Sequence, residues 1–176
     1  MQIKDLHFRP FIPEAELQGI ASALAAQISR DYEGRELVVC PILTGAFMFA
    51  TDLVRRLTVP CRLAFVRYAS YSGLASTGEV VCQLPFPAEI RGRDVLIVED
   101  VLDTGLSMQR ILADARALRP ASLRVCSLFF KPGAFRGDYT VDYIGRNIGN
   151  EFIVGYGLDY DQLGRNLKEI YVLDKQ

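Results

Sequence analysis

What this chain lacks narrows its chemistry before anything it contains. It has a single histidine, His7, beside Phe8, Arg9 and Pro10 in an extended stretch. A lone histidine in such company reads as a structural or surface group, and a Ser/His/Asp or Cys/His catalytic set has no good members to draw on. Cys40, Cys61, Cys82 and Cys126 are widely spaced in apolar, strand-like surroundings, with no Cys-x-x-Cys pair. This argues against structural zinc and a disulfide framework, and predicts buried reduced thiols that pack as small hydrophobes. There is no basic excess: 20 Lys+Arg stand against 21 Asp+Glu, a formal net charge of −1. Nucleic acid is therefore not an expected partner. No apolar run is long enough to span a bilayer, and Met1-Gln2-Ile3-Lys4-Asp5 lacks the charged-then-apolar order of a signal peptide. A cytoplasmic protein with no membrane partner is expected. Internal repeats and low-complexity linkers are also missing. The 176 residues, half of them apolar, suit one domain over 1–176 with a sizeable core.

What is present centres on the stretch from Asp94 to Met108. Val95 to Val98 is a short β-branched apolar run, the mark of a strand buried on both faces. Glu99, Asp100 and Asp103 follow, reading as an acidic loop, then Thr104, Gly105 and Ser107. Met108, Ile111, Leu112, Ala115 and Leu118 then recur at helical spacing up to Pro120. In open α/β sheets, ligands bind beyond the C-terminal ends of the strands. A helix N-terminus lined by small residues can cradle a phosphate. Two adjacent acids beside that nest suit the vicinal hydroxyls of a ribose, or a hard cation. Phosphate at one end and sugar hydroxyls at the other describe a ribose-5-phosphate site. The competing reading is a solvated acidic loop with Asp103 or Thr104 as a helix cap; Val101 and Leu102, embedded between the acids, argue against it.

The rest of the chain alternates in the same way. Glu14 to Tyr32 carries Leu17, Ile20, Leu24 and Ile28 at helical spacing, closed by Gly34. Glu36 to Leu43 reads as a buried strand, stopping at Thr44-Gly45 before a helix over Ala46 to Leu57. Cys61 to Tyr68 is the next strand. Ala69 to Gly78 is a long Gly/Ser-rich loop, either mobile surface or a lid. Glu79 to Leu84 and Leu123 to Phe130 read as further strands. Short extended pieces at 142–145, 152–157 and 170–173 complete the chain. Strands alternating with helices predict an α/β fold with a central parallel sheet flanked by helices. The termini are expected to build a small cap at the C-terminal side of the strands.

The pattern of four apolar residues, two acids, two apolar residues and Asp103-Thr104-Gly105 resembles the phosphoribosyl-diphosphate signature of type I phosphoribosyltransferases. With Pro41-Ile42-Leu43-Thr44-Gly45, Ser70-Tyr71, Lys131 and Phe152-Ile153-Val154-Gly155-Tyr156-Gly157-Leu158-Asp159-Tyr160, the likeness extends from about Leu37 to Leu173. It is to the hypoxanthine (6-oxopurine) branch. The resemblance implies the type I phosphoribosyltransferase fold, with its core over about 35–131 and a hood from the N-terminal arm and the C-terminal segment. It implies Mg²⁺-dependent purine salvage: phosphoribosyl passes from 5-phosphoribosyl 1-diphosphate to hypoxanthine, and guanine, giving IMP or GMP and diphosphate. Dimers or tetramers are the expected assemblies.

The same resemblance distributes the roles. Glu99 and Asp100 would hold the ribose hydroxyls, and Asp103, Thr104, Gly105, Leu106 and Ser107 the 5′-phosphate. Asp103 would also act as base at the purine N7. Thr44 and Gly45, after a cis Leu43–Thr44 peptide, would bind diphosphate together with Arg165. Lys131 would donate to the 6-oxo group, Phe152 would stack on the base, and the Ile153 backbone would read its edge. Asp159 and Glu99 would serve the metal, and Ser70 and Tyr71 would belong to the lid. Chemistry supports one role directly: an ammonium only donates, so Lys131 favours an oxo group over adenine's amino group. The chain departs from the pattern at Thr44 and Leu106, where relatives often carry lysine or asparagine, and lysine. Two alternatives remain: a xanthine- or guanine-preferring relative, and an RNA-binding regulator on the same fold, which should show a basic face.

Overall fold

The N-terminal arm is ordered as a strand pair. In the computed structural model, which describes residues 1–70 and 80–174, β1 (Gln2–Ile3) turns back on β2 (Leu6–Ile12). There follow α1 (Glu14–Asp31), β3 (Leu37–Leu43), α2 (Phe47–Val54), β4 (Cys61–Leu63), β5 (Val66–Ser70) and β6 (Val80–Leu84). Then come β7 (Asp94–Leu102), α3 (Leu106–Ala117), β8 (Ser122–Phe130), β9 (Tyr143–Asn147), β10 (Ile153–Val154) and β11 (Ile170–Leu173).

The main sheet runs β6-β5-β3-β7-β8-β9, with β4 also beside β3. All its pairings are parallel except β5 with β6. The middles of the central strands, Leu37–Leu43 and Val95–Val98, are apolar because helices cover both faces. On one face Val39, Leu96, Val98 and Leu128 meet α1 and α2 through Leu24, Ile28 and Phe49; on the other, Cys40, Ile97 and Val125 meet α3 through Met108, Ile111 and Leu112. A second, antiparallel sheet runs β1-β2-β11-β10, joining the N-terminal arm to the C-terminal strands. This hood and the parallel core match the architecture that the resemblance implies.

Three expectations change. The run Cys61 to Tyr68 is two strands, broken at Ala64-Phe65. Leu37 N–H and Val39 C=O both bond toward that edge, so by the period of two Pro41 also faces it with no N–H to give. Glu99 and Asp100 do not follow the central strand but lie within it, and only Asp103 comes after it. β7 continues to Leu102 because β8 offers Phe129 and Phe130 as partners for Val101 and Leu102. Two of the cysteines are not buried: Cys40 and Cys126 are fully so, but Cys61 is exposed on β4 and Cys82 half-exposed on β6, because both strands are short and peripheral. Burial pushes the Cys40 thiol up to about 12, far from a reactive thiolate.

Candidate active site

The continuation of β7 carries Glu99 and Asp100 side by side at the C-terminal end of the parallel sheet. The Asp100 amide approaches Glu99 Oε1 at 3.2 Å, and the Val101 amide donates to Asp100 Oδ1 at 2.7 Å. Burial pushes the Glu99 carboxyl well above the usual carboxylate range, and the adjacent Asp100 charge pushes it the same way. Burial also raises Asp100, but its hydrogen bonds with Glu99 and the Val101 amide and the Arg165 charge oppose the rise. The pair is therefore an electrostatic demand that a cation or hydroxyl donors would meet.

Thr44-Gly45 faces this pair from the end of β3, and the Leu43–Thr44 peptide is cis. Gly45 leaves no room for a side chain, since a Cβ there would lie 1.6 Å from Asp100 Oδ2. The hood reaches the same turn: a Cβ on Gly157 would meet the Gly45 carbonyl at 2.1 Å. Beyond it, Arg165 donates to the Gly157 carbonyl at 2.8 Å and pairs with Asp159 at 2.6 Å. The other Asp159 oxygen accepts from the Gln162 amide at 2.7 Å. Gly45, Glu99, Asp100, Ser107, Asp159 and Arg165 thus line one cavity of about 250 Å³.

The turn into α3 lies beside it. Gly105 is left-handed at φ 76°, and a Cβ would meet the Phe135 ring at 2.4 Å and the Tyr139 hydroxyl at 2.7 Å. That hydroxyl donates to the Gly105 carbonyl at 3.2 Å, and the Arg136 amide donates to the Thr104 carbonyl at 2.8 Å. The segment after β8 therefore clasps the turn from outside. The first turn of α3 begins at Leu106, whose side chain is exposed and whose amide approaches Thr104 Oγ1 at 3.5 Å. At the head of the turn, Lys131 Nζ donates to Asp103 Oδ2 at 2.7 Å, with the lysine side chain 11% exposed and the aspartate 51%. A donor and an acceptor are so presented together.

Other predicted residues stand apart from the cavity. Phe152 is 42% exposed on the hood, edge-on to Tyr160 at 6.0 Å and tilted to Phe8 at 6.2 Å. Ile153 is buried in β10, opposite Val172. Ser70 ends β5; Tyr71 and the rest of the predicted lid up to Gly78 lie outside the described residues, as does Glu79. Sequence reasoning missed Tyr68, Val80 and Ile111, which also line the cavity, and the Phe135–Tyr139 clasp. Only the Gly-Tyr-Gly spacing at 155–157 hinted at the close hood contact.

Among the described residues, no three carboxylate, imidazole or thiol groups form a ready-made cation cage. The donor set is Glu99, Asp100 and Asp159, all hard oxygens lining one cavity. Mg²⁺ commonly takes only one or two protein carboxylates and completes its shell with water and substrate phosphates, so these residues fit such an ion carried in with a phosphate ligand.

The phosphoribosyl transferase domain family matches residues 14–161. The chain is 40% identical over 166 residues to the hypoxanthine-guanine phosphoribosyltransferase of Mycobacterium tuberculosis, covering 90% of this chain and 82% of that protein. It is 39% identical over 163 residues to the enzyme of the same name from Staphylococcus aureus, covering 92% and 91%. The crystal structure of a Bacillus anthracis hypoxanthine-guanine phosphoribosyltransferase superposes with a TM-score of 0.89 at 34% identity, over 97% of this chain and 100% of that one.

Proposed function

From the premise that this chain belongs to the phosphoribosyltransferase family, we propose that it serves purine salvage. It transfers phosphoribosyl from 5-phosphoribosyl 1-diphosphate to N9 of hypoxanthine or guanine. The observation that carries the reading is the Lys131–Asp103 contact at the head of the phosphate turn. One donor and one acceptor, held together, match the 6-oxo and N7–H edge of a 6-oxopurine. The relatives' names agree with that choice of base.

The residues divide the work accordingly. Glu99 and Asp100 hold the ribose hydroxyls, and the Asp103–Ser107 turn with the first amides of α3 holds the 5′-phosphate. Thr44-Gly45 and Arg165 take the diphosphate. Lys131 orients the base through its oxo group, Phe152 covers its face, and the Ile153 backbone meets its edge. The C1–O bond to diphosphate breaks and takes its electron pair with it, while the N9 lone pair forms the bond to C1. The N7 proton passes to the Asp103 carboxylate. Mg²⁺, held through Asp159 and Glu99 with the substrate's own oxygens, would neutralise leaving-group charge. Leu106 needs no charge in this scheme, since its backbone does the binding; Thr44 is treated likewise.

A homo-oligomer, dimer or tetramer, working in the cytoplasm belongs to the same reading; no described helix is long and apolar enough to cross a membrane. The test is a panel of hypoxanthine, guanine, xanthine and adenine with phosphoribosyl diphosphate, with Mg²⁺ and with chelator, following diphosphate release. Release with 6-oxopurines and Mg²⁺ is expected. No release with any of them would refute the proposal, and an RNA gel shift in its place would favour the regulator.

A further inference from the structure

Tyr156 belongs to none of the groups that touch substrate in this scheme, yet the chain holds it in a conformation that residues with a Cβ rarely adopt. Its φ is 49°, between Gly155 at 103° and Gly157 at 104°. Such a backbone persists only where its surroundings over-determine it, and functional sites are where it clusters. The surroundings here are specific. The residue is 2% exposed, and its hydroxyl donates to Asp52 Oδ2 at 2.6 Å. The same oxygen accepts from Gln18 on α1 at 2.7 Å, and Arg56 pairs with the other at 3.3 Å. Burial alone would raise the Asp52 carboxyl, but the Tyr156, Gln18 and Arg56 donors more than offset it and hold the group below its ordinary value. The acceptor that meets Tyr156 is thus a fixed, ionised one.

The consequence lies one residue along. The Gly157 amide donates to the Arg165 carbonyl at 3.0 Å, and Arg165 Nη1 donates back to the Gly157 carbonyl at 2.8 Å. Gly157 also rests against the Gly45 carbonyl. Asp52 rides on α2, the helix that begins two residues after Gly45. The tyrosine therefore ties the peptide that holds Arg165 to the helix that carries the diphosphate turn. We propose that Tyr156 and Asp52 are positioning residues for diphosphate recognition, their hydrogen bond setting Arg165 against Thr44-Gly45. This rests on the function proposed above and adds to it a pair of residues that do not line the candidate cavity.

A purely structural tyrosine would lower stability without choosing between substrates. A positioning pair selects one of them. Tyr156→Phe keeps the ring and removes only the donor, so it should fold. Its KM for phosphoribosyl diphosphate should rise roughly tenfold, with kcat and the KM for hypoxanthine changed less than about twofold, the signature of lost uniform binding to one substrate. Asp52→Ala should act the same way. The double variant should be no worse than Asp52→Ala alone, because that change already removes the Tyr156 bond along with those from Gln18 and Arg56. If Asp52→Ala does not fold, Tyr156→Phe decides alone. Equal shifts in both KM values, or no shift in either, overturn the proposal while leaving the reaction itself intact. A wild-type protein with no transferase activity overturns both.

Discussion

Gly45→Ala isolates the closest contact in the site. The new Cβ would lie 1.6 Å from Asp100 Oδ2, 2.6 Å from its Cγ and 3.3 Å from Oδ1. Ordinary contact begins at 3.4 Å, so the nearest oxygen must retreat by about 1.8 Å, the difference between those two distances. Asp100 can yield by rotating its side chain, since no backbone atom is struck. The rotation weakens its hydrogen bond from the Val101 amide, now 2.7 Å, a loss of about 0.5–1.5 kcal/mol. For a chain of this size that lowers Tm by only a few degrees, at about 2–4 °C per kcal/mol. Function should suffer far more than folding. A displacement of about 1 Å in a positioning group can cost about 10²-fold, so kcat/KM for phosphoribosyl diphosphate should fall by at least about 10². Steady-state assays beside thermal unfolding read the two effects separately. Gly19→Ala is the control: a Cβ there meets nothing within 4 Å, and alanine improves a helix by about 0.5–1 kcal/mol. Gly45→Ala with kcat/KM within about threefold of wild type would refute the placement of Asp100 against the turn.

Asp103→Asn should lower turnover by about 10²–10⁴ while phosphoribosyl diphosphate binding persists, measured by kcat and by equilibrium binding. Lys131→Ala should reduce kcat/KM for hypoxanthine and narrow its margin over adenine, because the donor that repels the 6-amino group goes too; a solvated lysine would leave that ratio unchanged. Asp31 titrates below its ordinary 3.8, held down first by the Tyr143 hydroxyl at 2.7 Å and then by Arg124, against a counteracting burial. A carboxyl depressed in the folded state stabilises above its unfolded pKa and loses that contribution as pH falls through the folded one. The Tm advantage of wild type over Asp31→Asn should therefore be complete above about pH 3.8 and vanish on further acidification; an advantage constant with pH would exclude the linkage.

Local sequence carried the strand–acid–turn–helix unit from Asp94 to Ala117, because all of its signals lie within one continuous stretch: an apolar run, adjacent acids, a glycine and a helical stripe. It carried α1 and the central strands for the same reason, since periodicity reports which faces are covered. The end of β7 was not legible there. Whether Val101 and Leu102 are strand or loop depends on whether β8 runs far enough to meet them. Nor were the exposures of Cys61 and Cys82, which follow from edge position rather than from their apolar neighbours. The cavity and the contact behind it required tertiary structure throughout: Gly45 against Asp100, Gly157 against Gly45, and, behind them, Tyr156 against Asp52 join residues far apart in the chain. Composition and spacing record what each residue prefers, averaged over its sequence neighbours. Which distant acceptor a buried hydroxyl finds, and which backbone can approach another only at glycine, is decided when the hood closes on the parallel sheet.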